Sequence, residues 1–430
     1  MTTESWLPAL IGYLIPAGFF LLAWGGMEAE RARRAATLGL VALAIATLGY
    51  FAVGFAFHLG GAGLLSEQPG LDGLTLLAGY RVEAGLYWGV VGLRGFLLSG
   101  AADTPQARAL FVTYLPLAIT VVLLPMLSLS GRVRGWAAGL MGLLTGTIAF
   151  PLAACWVWGG GWLASLGRTV TLGHGLVDYA GSGVVYLLGG TVALGGLVAT
   201  GRQPPRGEPA QMPPVHFPLL ANLGVLLLIV GWLGWSFSLP FHASGAGLDP
   251  ARTAVNGMVA VAGATLACLA YCGLVLGHGD ALMVARGAAA GLVAVSAGAP
   301  FIPPWAALVV GGVAGLLLPL GVYLVDHLLR LADETAAVAT TALAGLWGLL
   351  AVPLFADGRW GQGWNGVGLE EYRTITGQGV SGFFTPRPFL GDGPGQGLAQ
   401  LAGLVALFLL AWLIGWVPTR LGYLLGRRQF

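Results

Sequence analysis

The chain has 430 residues, of which 57% are hydrophobic and 9% charged, and its mean hydropathy is +0.81. Soluble domains carry about 25% charged residues, so this composition cannot cover a water-facing surface, and lipid is the solvent that lifts the demand. A formal net charge of +2, carried without a single lysine, excludes an electrostatic nucleic-acid binder.

A membrane-spanning helix needs about twenty mostly apolar residues. Eleven runs meet that requirement, near 6–27, 35–57, 107–129, 135–157, 178–199, 217–240, 251–276, 279–298, 303–326, 335–355 and 397–418. The first run lacks a basic leading segment and a small-residue cleavage site, so it is read as a span and not as a removed signal peptide. The expected fold class is an all-α integral membrane protein with eleven spans. The 72 glycines suit close packing of such helices. Two long loops, 58–106 and 356–396, are rich in Gly and Trp. Within the first, the apolar stretch from Tyr87 to Gly100 is short and carries Arg94, which predicts a helix lying on the membrane surface.

The arginines set an orientation. Arg31, Arg33, Arg34, Arg132, Arg134, Arg202, Arg206, Arg286, Arg330, Arg420, Arg427 and Arg428 all fall on one side if the N-terminus is outside, while Arg359, Arg373 and Arg387 fall outside in a long loop, where the positive-inside rule is weak. The positive-inside rule then puts the C-terminus in the cytoplasm of a cell's plasma membrane. Runs five and ten each begin near an acidic residue, Asp178 and Asp333. That favours two five-helix halves of opposite topology plus a last helix, with the first half at 1–200, the second at 214–356 and the last helix at 397–418.

Ionisable residues inside the membrane are functional candidates, and here they are scarce. All six histidines, His58, His174, His216, His242, His278 and His327, lie at run ends or in loops. Asp178 reads either as a carboxylate that organises a cation site or as a cap for free helix N–H groups. Trp158, before three glycines, offers an indole face worth roughly 0.5–2 kcal/mol to a cation, or else belongs to an interfacial aromatic belt. Cys155, Cys268 and Cys272 read as small buried hydrophobes. No nucleophile–base pair, metal motif or cofactor motif is visible, so an enzyme is the least favoured class and no cofactor is expected.

Several segments resemble the ammonium transporter family, which includes the Rhesus proteins. They are WGGGWLAS (Trp158–Ser165), DYAGSGVVYLLGGTVALGGLVATGR (Asp178–Arg202), GWLGWSF (Gly231–Phe237), ARGAAAGLVAVSAGAPFI (Ala285–Ile302) and AGLWG, which ends the stretch Asp333–Gly348. Weaker likeness covers PAGFFLLAWGGM and AITVVLLPMLSLSGRVR. The resemblance implies a homotrimer with one pore per subunit between the halves. It also implies an outer cation site of Trp, Phe and Ser, a double-Phe gate and two pore histidines.

Carried over residue by residue, the resemblance places Trp158 and Asp178 on their family counterparts. The rest depart. The outer-site Ser falls on Leu239 and its Phe on Val112, with Phe111 adjacent. The gate falls on Pro116 and Trp235. The pore histidines fall on Tyr186 and Thr341, or on Thr340 with a one-residue slip. Tyr titrates near 10 and Thr not at all in the usable range, so neither replaces an imidazole as a proton carrier at neutral pH. Three expectations follow. One is an ammonium transporter with an altered pore. Another is electroneutral conduction of a small neutral molecule, ammonia or carbon dioxide. The third is a non-conducting sensor or structural homologue, as some histidine-lacking Rhesus proteins are. About a dozen residues follow the last run, which argues against regulation by the PII signalling protein.

Overall fold

In a computed structural model residues 6–66, 68–81, 86–202, 216–238, 240–244 and 246–427 are described, and they are mostly helical. Leu239, Arg206 and Arg428 therefore lie outside the described residues.

Among the described residues, ten helices are long and apolar enough to cross a membrane: α1 (Leu7–Trp24), α2 (Ala29–Leu64), α3 (Pro105–Ser128), α4 (Gly135–Val157), α5 (Ser182–Thr200), α6 (Pro218–Phe237), α7 (Pro250–Leu276), α9 (Pro304–Leu328), α10 (Val338–Phe355) and α11 (Gly393–Leu425). The eighth sequence run forms a shorter helix, α8 (Ala281–Val295). Its 15 residues reach about 22 Å, less than the ~30 Å hydrocarbon core. It is buried along its length from Ala285 to Val295, so protein and not lipid surrounds it.

Helix starts follow local chemistry. Thr104 and Asp249 each precede a proline, and their side chains accept from the N–H of Ala107 (3.1 Å) and of Ala251 (2.9 Å). Asp280 caps α8 through the N–H groups of Leu282 and Met283. Packing uses the small residues. A Cβ on Gly18 of α1 would lie 2.6 Å from the Gly224 carbonyl of α6, and a Cβ on Gly224 the same distance from the Gly18 carbonyl. The two helices thus cross with backbones in contact. Likewise α11 lies along α5, and α7 along α9.

The surface helix expected over Tyr87–Gly100 is not formed. The chain there is a strand, β2 (Leu86–Gly92), antiparallel to β1 (Leu77–Arg81). The physical reason is a period of two: Trp88 and Val90 are exposed while Gly89 between them is buried. The Gly89 carbonyl accepts from the Trp162 N–H, and the Val90 carbonyl from the Trp156 indole, fastening the hairpin over the end of α4. A smaller hairpin, β3 (Glu371–Tyr372) and β4 (Ile375–Thr376), belongs to the second long loop. Helix α11 also runs past the end expected at 418, through Pro418.

The arginine face is a fastening as well as a charge bias. Arg31 pairs with Glu334 at 2.8 Å, Arg132 donates to the carbonyls of Leu331 and Ala332, and Arg286 donates to that of Glu334. All three hold the segment that leads into α10.

Candidate functional site

The centre of the molecule is organised by two aspartates. Asp178 Oδ2 accepts from the N–H groups of Gly183 (2.9 Å) and Val184 (2.8 Å), five and six residues ahead, where α5 opens with wide π-type turns (Ser182–Leu187). Asp333 Oδ2 accepts from the Val338 N–H (2.9 Å), also five ahead, where α10 opens with π-type turns (Val338–Leu343). Its Oδ1 accepts from Ser128 and Thr335. Both carboxylates thus satisfy free helix-start donors in buried settings, the capping role foreseen for Asp178.

The two helices then cross on reciprocal glycines. A Cβ on Gly190 would lie 2.4 Å from Thr341 Oγ1 and 2.5 Å from the Ala342 N, while a Cβ on Gly345 would lie 2.3 Å from the Ser182 carbonyl and 2.9 Å from the Leu187 N. Gly190 and Gly345 stand at the same offset from Asp178 and Asp333, and so do Tyr186 and Thr341. Tyr186 is buried, 5.5 Å from the Phe19 ring, with Ser296 as a hydrogen-bonding neighbour of its hydroxyl. Thr341 Oγ1 donates to the Ala337 carbonyl at 2.6 Å. Beside it, Phe19, Leu124, Thr340 and Thr341 border a crevice of about 10 Å³, room for roughly one water-sized molecule.

On the long-loop face the aromatic residues converge. Trp158, capping α4, is only 2% exposed, so it is a core residue and not part of a lipid-facing belt. Its Nε1 donates to the Asp178 carbonyl at 2.7 Å. Around it stand Tyr114 (5.8 Å between centroids), His58 (6.2 Å), Trp235 (6.4 Å) and His242 (4.8 Å). The His242 ring lies within 9° of parallel to the indole. Its Nε2 faces the Tyr179 carbonyl at 2.8 Å, which accepts only, so Nε2 carries the hydrogen and Nδ1 accepts from the Tyr114 hydroxyl at 2.8 Å. Desolvation by the packed rings pushes the His242 imidazole down to about 3. His58 Nδ1 pairs with the Tyr50 hydroxyl at 2.8 Å.

The sequence-derived residues divide accordingly. Trp158, Asp178 and Trp235 stand together: Trp235 is fully buried, 6.2 Å from His242, and its Nε1 donates to the Thr113 carbonyl. Val112 is half-buried and brings no ring; the ring α3 delivers to Trp158 is Tyr114. Phe111 stacks on Tyr50 at 5.4 Å instead. Pro116 is buried within α3, where its missing N–H leaves the Val112 carbonyl without its intrahelical donor. His242, His58 and Tyr114 were missed as site residues. Their common signal is position, since both histidines sit near the long-loop end of a span among aromatic residues.

Above the cluster lies a vestibule of about 460 Å³, floored by Trp158 and His242 and walled by Tyr87, Trp364 and Arg168. The Arg168 guanidinium lies 3.6 Å over the Tyr87 ring. Among the described residues lining the vestibule, Arg168 carries the formal charge.

A polytopic helical membrane protein with a wide vestibule, a ring cluster beneath it and a narrow crevice at a helix crossing belongs to the class of small-solute channels and transporters. The chain is a member of the ammonium transporter family, whose model (Ammonium Transporter Family) matches residues 6–425. Ammonium transporter Amt2 of Archaeoglobus fulgidus is 29% identical over 82% of this chain and 71% of its own. Ammonium transporter 1 member 3 of Solanum lycopersicum is 27% identical over 81% of this chain and 73% of its own. Among solved structures, Saccharomyces cerevisiae Mep2 superposes with a TM-score of 0.72 at 23% identity, covering 96% of this chain and 84% of its own. A sensor Amt protein does so with a TM-score of 0.72 at 21% identity, covering 98% and 91%. Both structural likenesses speak to the fold.

Proposed function

We propose that this chain passes a small neutral solute, ammonia ahead of carbon dioxide, through a pore between its halves (1–200 and 214–356), without net charge transfer. The observation that supports this most is the chemistry where α5 and α10 cross. The side chains at the equivalent offsets from the two aspartates are a phenol and a hydroxyl, Tyr186 and Thr341. Neither takes and gives a proton near neutral pH. With no base at this point, ammonium gives its proton to water or buffer before the pore, and only ammonia enters and continues. Trp158, on the frame Asp178 provides, is the recruiting surface; Trp235 and Pro116 stand at the gate. Val112 and Leu239 supply neither a ring nor a hydroxyl to that site. The N-terminus is outside, the C-terminus cytoplasmic, the setting a plasma membrane, and the assembly a homotrimer. Transport, not catalysis, is the activity.

The test uses the full chain in proteoliposomes. Stopped-flow alkalinisation faster than in protein-free liposomes, with no current on a solid-supported membrane, is the expected result. A robust ammonium-evoked current that vanishes in Tyr186→Phe overturns the reading. A second reading, a non-conducting sensor, draws on the stacked rings beneath the vestibule and the one-molecule crevice. Flux equal to protein-free liposomes selects it.

A further inference from the structure

His242 lies on the face of Trp158 that a recruited cation needs. We infer that His242 is a tethered occupant of the cation site: its imidazole fills the place of an external N–H cation, and the substrate must displace it. The inference rests on Trp158 being the recruiting surface.

Four observations carry it. The imidazole is stacked on Trp158 at 4.8 Å and 9°, and it lies against Trp235 at 6.2 Å and 29°. Both are offset-stack geometries, in which a ring covers the negative face that attracts cations. The imidazole satisfies an acceptor that suits an ammonium: Nε2–H donates to the Tyr179 carbonyl at 2.8 Å, in a turn where the N–H groups of Tyr179 and Ala180 are already tied to the carbonyls of Ala297 and Ser296, just past the end of α8. The Tyr114 hydroxyl clamps the other ring nitrogen. Finally, His242 comes from a short 3₁₀ turn (Phe241–Ala243) between α6 and α7, not from a spanning helix, and it forms part of the vestibule floor. A turn can leave without unpacking the bundle.

The place so filled is larger than ammonium requires. An imidazole ring has five heavy atoms and ammonium has one. The vacated slot therefore admits small organic N–H cations and free imidazole. The occupant also sets a threshold: a cation must beat a ligand present at the high effective concentration of a tether. This makes His242 a specificity-determining residue.

The experiment is calorimetric titration of methylammonium into the full chain in lipid nanodiscs. His242→Ala is expected to bind methylammonium about 10-fold more tightly than the unsubstituted chain, and millimolar imidazole is expected to compete. Trp158→Leu in the His242→Ala background is expected to erase the gain. His242→Phe, which keeps a ring over the indole, is expected to bind no better than the unsubstituted chain. Should His242→Ala fail to fold, Tyr114→Phe keeps every ring and removes the clamp, and it is expected to move affinity in the same direction. Equal methylammonium affinity in His242→Ala, or in Tyr114→Phe where that is the variant in hand, overturns the inference. So does a gain that survives Trp158→Leu. Flux separates this from the conduction reading: tighter binding with no flux keeps the occupant and ends the channel.

Discussion

At the scale of single residues, the deciding effect is the cost of burying polar atoms. Asp178 and His174 show its two outcomes. Asp178 holds two helix-start N–H groups within 2.9 Å in a fully buried place. Removing it strands both donors, each costing about 1–3 kcal/mol. Asp178→Ala is expected to lower stability by roughly 2–6 kcal/mol, and Asp178→Asn, which keeps an acceptor oxygen, by clearly less. Unfolding titrations with SDS in mixed micelles compare them, and equal losses would refute the capping argument. His174 is the opposite case. It is wholly buried against Tyr372, 4.4 Å between ring centroids, and neither ring nitrogen meets a partner. Burial pushes its imidazole from 6.5 down to about 3. Between those values the unfolded chain binds a proton that the folded chain refuses, so stability is full above pH 6.5 and falls as pH drops toward 3. One such group contributes a slope of about 1.4 kcal/mol per pH unit. His174→Phe removes two unpartnered nitrogens and the titration together. It is expected to match or exceed the parent stability at pH 7 and to lose less between pH 6.5 and 4.5. A variant that loses stability as steeply as the parent would place the acid sensitivity elsewhere.

At the scale of elements, the glycine crossing of α5 and α10 separates packing from chemistry. Gly345 has backbone, not flexible side chain, in the way of a Cβ: the Ser182 carbonyl at 2.3 Å. Gly345→Ala must push the helices apart, at a cost of about 1–3 kcal/mol or more. Gly135 in the first turn of α4 has open space around it, and Gly135→Ala is expected to be neutral or slightly stabilising. Thermal aggregation midpoints in one detergent rank the two. Equal midpoints would mean the crossing is looser than its geometry. This scale also shows what a sequence reader can see. Spans are legible because lipid forces whole backbones into long apolar helices, and the two aspartates are legible as starts of runs five and ten. The hairpin over Leu77–Gly92 is not, because a Gly- and Trp-rich loop has no lipid to enforce a single period. The cluster at Trp158 was half legible. Trp158 and Trp235 sit in recognisable motifs, but which α3 ring meets Trp158 is set by the rotation of that helix, which spacing alone does not record: Tyr114 stands two residues on from Val112. His242 was hidden for a further reason. Its role is set by where a connecting turn folds back, and no periodicity records that.

At the scale of the whole molecule, one asymmetry organises everything above: hairpins, vestibule and aromatic cluster on one face, and the fastening arginines Arg31, Arg132, Arg286 and Arg420 on the other. The positive-inside rule reads that asymmetry as an orientation, and the chain's own cysteines make it easy to test. Cys155, Cys268 and Cys272 are free and buried, so a membrane-impermeant maleimide meets little background. Ser99 is exposed on the long-loop face, and Gly135 is exposed at the start of α4 on the opposite face, with nothing within 4 Å of an added Cβ. In intact cells Ser99→Cys is expected to react and Gly135→Cys to stay unlabelled until the membrane is broken. The reverse pattern would turn the molecule over, with a physical consequence. The vestibule would then open to the cytoplasm, and His242 would shield Trp158 from internal and not external cations. The labelling pattern therefore decides which compartment's solute has to displace that imidazole.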